Sequence, residues 1–304
     1  NLLFFLLEKM AKTYEAKCIN FLFKFSFCEK NATFVTHRKF FEKTKIMLFT
    51  SIQWNADLTV FTIGNFSLQW YGLMWGIAIL AGYFSVLYMF RRSNLTTRYA
   101  SKLVEYIFFG SLIGGRLGHI IFYDLNYFLA NPIEIFKIWN GGLASHGGGI
   151  GILLAGYFFA KNYKFTYLQI LDILAFSTPL CAFFVRIGNL MNSEIVGKFT
   201  EVPWGFVFLK NGEIHARHPS QLYEAIMFII CFGLMIWLSR RRPHFSVGFL
   251  SAVFFILIPS LRFLLEFFKQ EAVYTQLLSI PYILFGFFLL FYVKKIQTLP
   301  AAKL

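Results

Sequence analysis

The chain has 304 residues, of which 57% are hydrophobic, 20% aromatic and only 14% charged. Soluble domains are about 45–50% apolar and about 25% charged, and one water-soluble core of this length could not bury 41 phenylalanines. The composition therefore excludes an ordinary soluble protein and predicts a multi-span membrane protein. The formal net charge of +14 does not predict nucleic-acid binding, because Lys and Arg fall in short clusters between apolar runs.

Cysteine spacing gives no sign of a disulfide framework or a metal site. The chain contains four scattered cysteines, Cys18, Cys28, Cys181 and Cys231. They form no CxxC pair, and no histidine lies near them at metal-ligand spacing. We therefore expect no metal and no cofactor.

Residues 1–46 form a basic segment in which nine Lys or Arg stand against four Glu. Its apolar run from Leu2 to Leu7 is too short to span a bilayer, and no recognisable signal peptide begins at Asn1. Two interpretations stay open. Met47 is the biological start, or the segment is a basic surface helix that lies on anionic lipid.

Seven apolar stretches follow, most of them near the twenty residues that a bilayer core requires. The third is the least secure, because a glycine-rich turn opens it and a re-entrant segment would look similar. The sequence thus predicts an all-α integral membrane protein with about seven transmembrane helices in residues 47–297, followed by a short cytoplasmic tail at 298–304. The stretches are at about 71–90, 103–123, 144–160, 168–191, 221–239, 247–267 and 277–293.

Basic residues follow alternate stretches, and such loops are typically cytoplasmic. By alternation, Tyr71 and the loops at 124–143, 192–220 and 268–276 lie on the other side. The N-terminus, from about residue 47, is then outside, and the C-terminus is cytoplasmic. A basic segment at 1–46 on the outer side would break this rule, which favours Met47 as the start. The marker residues are Arg91, Arg92, Arg98, Lys102, Lys161, Lys164, Arg240, Arg241, Arg242, Lys294 and Lys295.

Three arginines fall inside predicted spans: Arg116, Arg186 and Arg262. An arginine at bilayer depth costs at least about 2.5–3.5 kcal/mol on insertion scales, so each is a candidate site residue. Helices that bring the three together would form a strongly cationic pocket.

Sequence neighbours give these arginines different interpretations. Arg262 has Glu266 one turn later, but Arg followed by Glu is the weaker orientation for a helical ion pair. Arg186 has no carboxylate at i±3 or i±4, so we expect its charge to bind an external anion such as a lipid phosphate. Arg116 has only His119 at i+3, and a structural role and a functional role both stay open for it.

A glycine-dense turn at 141–149 carries one titratable side chain, His146. Its main-chain amides, at the start of a helix, could bind phosphate while His146 accepts a proton. The alternative for the glycines is close helix packing through GxxxG pairs. Packing is favoured for the glycines and function for His146. The GxxxG pairs are Gly147 with Gly151, Gly72 with Gly76 and Gly114 with Gly118.

The run from His218 to Glu224 opens the fifth stretch, with Pro219 at the first helical position. Much of it could simply start the helix. Gln221 and Glu224 would nevertheless enter the apolar zone on one face, where polar groups serve a site or an interhelical hydrogen bond. Both interpretations stay open.

Six motifs, in order and in register, resemble the bacterial prolipoprotein diacylglyceryl transferase family between about Phe61 and Phe291. One such motif is weak evidence, but six in register are strong. They are Trp70–Met74, Gly114–Gly118, Gly141–Gly142 with His146–Gly148, Arg186–Asn189, His218–Glu224, and Arg262–Phe263 with Glu266–Phe268.

The resemblance implies a seven-span enzyme of the bacterial inner membrane. Such an enzyme transfers the diacylglyceryl group of phosphatidylglycerol to the lipobox cysteine of a prolipoprotein signal peptide, within membrane lipid. The products are a thioether and glycerol 1-phosphate. The expected catalytic residues are Tyr71, His146, Arg186 and Arg262. The expected substrate-binding residues are Arg186 again with Arg116, Gly147, Gly148, Asn189, Glu194, Gly197, His218, Gln221 and Glu224.

This sequence departs from the family pattern at four positions. Ile258 stands where a tyrosine is usual, Asn140 replaces an aspartate, Lys269 an arginine and Ser193 a glycine. The missing tyrosine hydroxyl implies that no mechanism depending on it can operate in this chain.

The residues support a hypothesis for the chemistry. A protonated thiol is a poor nucleophile, and the departing phosphate needs its charge stabilised. His146 would accept the thiol proton, Arg186 and Arg262 would bind the phosphate, and Tyr71 and Asn189 would orient the headgroup. Alternatively, an arginine-rich pocket lowers the thiol pKa itself and leaves His146 structural.

Two other classes of protein would also place arginines in a membrane. An anion transporter would line a path with them, but the halves of this chain show no convincing repeat. A different phospholipid-headgroup transferase would share the cationic pocket without a thiol acceptor.

Overall fold

The structure is a computed structural model that describes residues 51–64, 66–241, 247–269 and 272–298. The basic segment at 1–46, the start at Met47 and the tail beyond Thr298 lie outside the described residues. The predictions made for them therefore stay predictions.

Seven long helices coincide with the seven apolar stretches, each within a few residues at either end. The third is one continuous helix, not a broken segment. Their bounds are α1 Trp70–Arg92, α2 Tyr99–Phe122, α3 Ser145–Tyr163, α4 Tyr167–Met191, α5 Ser220–Arg241, α6 Phe249–Leu265 and α7 Ala272–Thr298. A short helix, Leu125–Ala130, follows α2.

Local sequence signals set several helix ends. Thr166 and Gln169 form a capping box that starts α4. Lys164 takes the left-handed conformation that ends α3. The carboxylate of Asp172, from α4, accepts hydrogen bonds from the main-chain N–H groups of Gly248 and Ser251 at 2.6 and 2.8 Å, and so caps the start of α6.

Four helical segments of the described chain are long and apolar enough to cross a membrane: α1, α4, α5 and Phe249–Phe268, which is α6 with the turn that follows it. Many of their large apolar side chains face outward, among them Phe84 at 63% exposure. Lipid is the solvent that stabilises such a surface. The chain is therefore a multi-pass membrane protein. The count of seven spans and the orientation of the termini stay predictions.

Helix α4 lies at the centre of the bundle, where it packs along α1 and α5 and also contacts α3 and α6. The main apolar cluster joins the end of α1 to the start of α4, with Phe90 and Phe176 fully buried in it. The helices alternate in direction. The starts of α1, α3 and α5 and the ends of α2, α4 and α6 therefore meet at the opposite end, which we call the site end.

Helices α2 and α3 pack closely against each other at their glycine residues. A Cβ atom on Gly114 would lie 2.8 Å from Cα of Gly151, and one on Gly118 would lie 2.7 Å from Cα of Gly147. These contacts confirm the packing interpretation for both pairs. The same interpretation was wrong for Gly72 and Gly76. A Cβ on either would meet no described atom within 4 Å, because spacing alone does not show which face a helix buries.

Four short strands at the site end were not predicted. Strand β1, Ile52–Trp54, pairs in parallel with β4, Phe206–Phe208. Strand β2, Thr59–Ile63, pairs antiparallel with β3, Phe66–Gln69. The Trp54 indole N–H donates to the carbonyl oxygen of Leu190 at 3.1 Å, which ties β1 to the end of α4. The all-α prediction is thus right for the helical bundle and incomplete for its outer layer.

Candidate functional site

The buried carboxylate of Glu224, at the start of α5, lies within 4.0 Å of three cationic side chains. Oε2 of Glu224 lies 2.6 Å from Nε of Arg186, on α4. Oε1 lies 2.7 Å from Nζ of Lys269 and 4.0 Å from Nη2 of Arg262. Glu224 is only 1% exposed. A buried carboxylate needs such partners, because an unpaired charge is strongly disfavoured away from water.

A second carboxylate, Glu266, completes the group. Its Oε1 lies 3.4 Å from Nη2 of Arg262 and 3.1 Å from Nζ of Lys269. Glu266 begins the short turn that ends α6, and the Lys269 N–H donates to its carbonyl oxygen at 2.9 Å. We call the five residues the charged cluster: Arg186, Glu224, Arg262, Glu266 and Lys269.

The two arginines differ in how firmly they are held. The Arg186 side chain is 15% exposed and in close contact with Glu224. The Arg262 side chain is 36% exposed, and its ion-pair distances are longer. With all groups ionised, three cations and two carboxylates leave one net positive charge. The cluster is therefore suited to binding an anion, and Arg262 is its most accessible cation.

Arg186 does have a carboxylate partner, although the sequence around it shows none; the expectation that it binds an external anion stays a prediction. Local spacing on α4 does hold none, but Glu224 supplies one from the neighbouring helix α5. Sequence spacing reports only contacts within a helix, so this pairing had no local signal. Lys269 was likewise noted as a departure from the family pattern and not as a member of the site, although it lies three residues after Glu266.

A chain of polar contacts extends the cluster toward the loop after α4. Nη1 of Arg186 donates to Oδ1 of Asn189 at 3.4 Å, and Nδ2 of Asn189 donates to Oε2 of Glu194 at 3.2 Å. The Gln221 side-chain amide donates to the main-chain carbonyl of Glu194. Oε1 of Gln221 is buried and has no hydrogen-bond partner among the described residues. Together with the charged cluster, these contacts bring six of the predicted site residues into one network: Arg186, Asn189, Glu194, Gln221, Glu224 and Arg262.

Tyr71 lies at the start of α1, where its ring faces α4. A Cβ atom on Gly188 would lie 3.2 Å from Cδ2 of Tyr71. Gly188 lies two residues after Arg186 on α4. Tyr71 therefore forms one side of the same site.

Gly197 occupies a crossing of two main chains. A Cβ atom there would lie 2.7 Å from the carbonyl oxygens of both His218 and Phe268. Only glycine fits this position without displacing main chain. The His218 ring contacts Phe268, and its Nδ1 lies 3.1 Å from the Tyr223 hydroxyl. Burial lowers the pKa of His218. Gly197 and His218 thus hold the loop between α4 and α5 in place beside the charged cluster.

The loop between α4 and Gly197 contains unusual backbone. Ser193 and Ile195 both have a φ of 56°, in the left-handed region that favours glycine. Ser193 is the position at which a glycine is usual in the family that the sequence resembles. The structure gives the physical reason for that preference.

Arg116 is engaged by main chain and lies apart from the charged cluster. All five of its N–H groups point at carbonyl oxygens of the 134–142 loop, with the closest at 2.5 Å on Glu134 and 2.7 Å on Gly141. Its guanidinium also stacks over the Phe128 ring at 4.9 Å. The single cationic pocket containing all three arginines is therefore not formed, and the geometry favours the structural role for Arg116.

His146 is exposed in the first turn of α3, at the site end. No hydrogen bond or ion pair joins it to the charged cluster within the described ranges. Gly147, beside it, packs against α2, and the N–H of Gly148 continues the helix by donating to Ala144 at 3.0 Å. The catalytic role of His146 and the phosphate-binding roles of the two glycines stay predictions.

Ile258 lies one turn before Arg262 and is 7% exposed. It packs in an apolar cluster with Met227, Phe228 and Cys231. The position thus contributes packing between α5 and α6, and no hydroxyl reaches the site from it. Among the described residues, no group of three or more His, Cys, Asp or Glu side chains is placed to hold a metal ion.

Comparison with known proteins gives consistent matches. Residues 58–292 match the family described as prolipoprotein diacylglyceryl transferase. Three similar proteins carry the name phosphatidylglycerol–prolipoprotein diacylglyceryl transferase. That of Tolumonas auensis is 40% identical over 78% of this chain and 95% of its own length. Those of Bacteroides fragilis and Porphyromonas gingivalis are 38% and 36% identical, over 82% and 79% of this chain and 98% and 93% of their own lengths.

Proposed function

This chain belongs to the prolipoprotein diacylglyceryl transferase family, and we infer that it transfers the diacylglyceryl group of phosphatidylglycerol to prolipoproteins at the charged cluster. The observation that carries the placement is the convergence of Arg186 and Arg262 on Glu224, at one end of a membrane bundle. Three cations face two carboxylates there, so the carboxylates alone do not account for all of the positive charge.

The reaction requires two kinds of help. A sulfur–carbon bond forms at the glycerol carbon as the carbon–oxygen bond to phosphate breaks, and the electron pair leaves on the phosphate oxygen. The thiol proton passes to a base. The products are a thioether on the lipobox cysteine and glycerol 1-phosphate. Arg186 and Arg262 bind the phosphate and stabilise the charge that develops on it, because guanidinium groups form directed, charge-assisted hydrogen bonds with phosphate.

His146 is the proposed base. It is exposed at the site end, in the first turn of a helix, where a peptide thiol can approach. Histidine changes protonation near neutral pH, which suits it to this transfer. A His146→Gln enzyme with a near-native rate would remove this role and leave the cationic pocket as the cause of thiol activation.

Other residues orient the lipid and shape the site. Asn189 accepts a hydrogen bond from Arg186 and Tyr71 packs beside Gly188 on the same helix, so both are placed to orient the headgroup. Glu194 and Gln221 hold the loop beside them. The remaining predicted binding residues would serve the site by holding main chain and loops in place: Arg116, Gly147, Gly148, Gly197 and His218. Glu224 holds Arg186 and Arg262 in place when no substrate is bound. The chain's own residues supply every step, and no metal or cofactor is required.

The proposed setting is the inner membrane of a bacterium. Seven spans, with the chain outside from about residue 47 and the C-terminus cytoplasmic, would place the site end at the outer surface. The partners are then phosphatidylglycerol, the signal peptide with its lipobox cysteine, and the surrounding lipid.

A mass assay tests the function. Purified protein is incubated with phosphatidylglycerol and a lipobox peptide that has one cysteine. We expect the peptide to gain the mass of a diacylglyceryl group while glycerol phosphate is released, with no gain for the peptide in which serine replaces the cysteine. A folded preparation that modifies neither peptide would contradict the proposal.

A further inference from the structure

Lys269 is the third cation of the charged cluster and the one whose purpose the chemistry leaves unexplained. Its Nζ contacts both carboxylates, Glu224 at 2.7 Å and Glu266 at 3.1 Å. Its side chain is only 12% exposed, against 36% for Arg262. Lys269 is thus directed at the carboxylates and away from solvent, so it is poorly placed to contact a substrate itself.

The charges of the cluster show what Lys269 does there. Without it, two arginines would face two carboxylates, and the net charge would be zero. Arg186 and Arg262 would then be fully engaged by Glu224 and Glu266. With it, one positive charge remains for an incoming anion. A phosphodiester carries one negative charge, which matches that excess. In a buried site such a balance has a large effect, because charges interact strongly at low dielectric.

The distances support a model in which Lys269 neutralises the carboxylates and an arginine binds the anion. Lys269 shares Oε1 of Glu224 with Arg262, and it shares Oε1 of Glu266 with Arg262 as well. In both cases the lysine is the closer partner. Arg262 is therefore held loosely at distances of 3.4 and 4.0 Å. A loosely held guanidinium can turn to a phosphate without leaving a buried carboxylate unpaired.

We propose that Lys269 is a positioning residue that neutralises Glu224 and Glu266 and so keeps Arg262 available to the monoanionic phosphodiester of the lipid. The inference rests on the proposed function, because it concerns the same site. It adds a role for the lysine in setting the charge that receives the lipid phosphate.

The decisive experiment removes the positive charge of Lys269 and then restores the net charge of the cluster by removing a negative charge. Lys269→Met removes one positive charge, and we expect the KM for phosphatidylglycerol to rise about tenfold or more, with a smaller change in kcat. Lys269→Arg keeps the charge and should stay near the wild-type KM. The double variant Lys269→Met/Glu266→Gln also removes one negative charge, so it should recover most of the lost affinity.

A merely structural lysine predicts a different pattern. Removal of a second member of the network would then leave the double variant as impaired as the single one, or more so, and this result would overturn the proposal. An unchanged KM in Lys269→Met would also overturn it. Lys198→Met is the matched control, since Lys198 is an exposed lysine at the same end of the bundle. It should leave the KM unchanged.

Two further measurements keep the test decisive. If Lys269→Met fails to fold, Glu266→Gln alone raises the net charge of the cluster, and its KM should fall below that of the wild type; a rise would contradict the proposal. Displacement of a fluorescent phosphatidylglycerol, without peptide, separates the two claims. Wild-type protein that binds this lipid without transferring it would sink the proposed function, while the charge series would still be tested by binding. If the protein transfers the lipid but all Lys269 and Glu266 variants have the same KM, only the role of Lys269 is contradicted.

Discussion

Arg186 and Arg262 carry the proposed chemistry, and the structure distinguishes their environments. Arg186 is close to Glu224 and Asn189, whereas Arg262 is more exposed and more loosely paired. The sequence marks both arginines as candidate site residues, because charge is costly inside a membrane. It does not reveal their shared carboxylate partner, Glu224, because Glu224 lies on another helix.

We expect Arg186→Lys to lower kcat/KM for phosphatidylglycerol by about tenfold to a hundredfold. Lysine keeps the charge, but it cannot donate two parallel hydrogen bonds to a phosphate or reproduce the contact with Asn189. Initial-rate measurements over a range of lipid concentrations check this. Full activity in the lysine variant would show that charge alone suffices and that no bidentate contact is made.

Ser193 offers a test of backbone strain. Its φ of 56° places a side chain in a region where a Cβ atom costs about 1 kcal/mol. Ser193→Gly should therefore stabilise the protein by about 1 kcal/mol, seen as a higher temperature of thermal unfolding. Ser193→Ala, which also removes the buried hydroxyl but keeps Cβ, is the control. Equal stability of the two variants would mean that the backbone conformation is not the cause.

At the scale of the elements, the helices were predictable and the strands were not. Long apolar runs gave all seven helices within a few residues, because a bilayer demands that length of helix. Strands β1 and β4 have three residues each and lie about 150 positions apart in the chain, so no local pattern marks their pairing. The contacts of Arg116 with five loop carbonyls had no local signal either, because they depend on the fold of the 134–142 loop.

The α2–α3 contact supplies a prediction with its own control. Gly114→Ala would force apart two helices whose backbones meet at Gly151, and we expect a lower unfolding temperature. Gly76→Ala is the matched change. A Cβ there meets no described atom within 4 Å, so alanine should be neutral or slightly stabilising. Equal destabilisation by the two changes would contradict the packing assigned to α2 and α3.

At the scale of the whole molecule, alternating helix directions place the site residues at one end of the bundle. Tyr71, His146 and Glu224 lie near helix starts, while Arg186 and Arg262 lie near helix ends. This arrangement explains why motifs spread over nearly 200 positions can serve one reaction. Under the proposed function, the prolipoprotein must reach this end of the bundle.

The orientation can be measured with single cysteines in intact cells. We expect a cysteine at Lys198 to react with a membrane-impermeant maleimide and a cysteine at Lys161 to react only after the cells are opened. Both side chains are exposed in the structure, and they lie at opposite ends of the bundle. The reverse pattern would invert the proposed topology and place the reaction at the cytoplasmic surface.

The most direct test of the account is a lipid-binding measurement on the double variant Arg186→Gln/Arg262→Gln. Wild-type protein should bind phosphatidylglycerol in preference to phosphatidylethanolamine, which lacks its net negative charge. The account predicts that the variant, shown to be folded by its thermal transition, loses this preference. An unchanged preference for phosphatidylglycerol would show that the phosphate is bound elsewhere and would contradict the assignment of the charged cluster as the headgroup site.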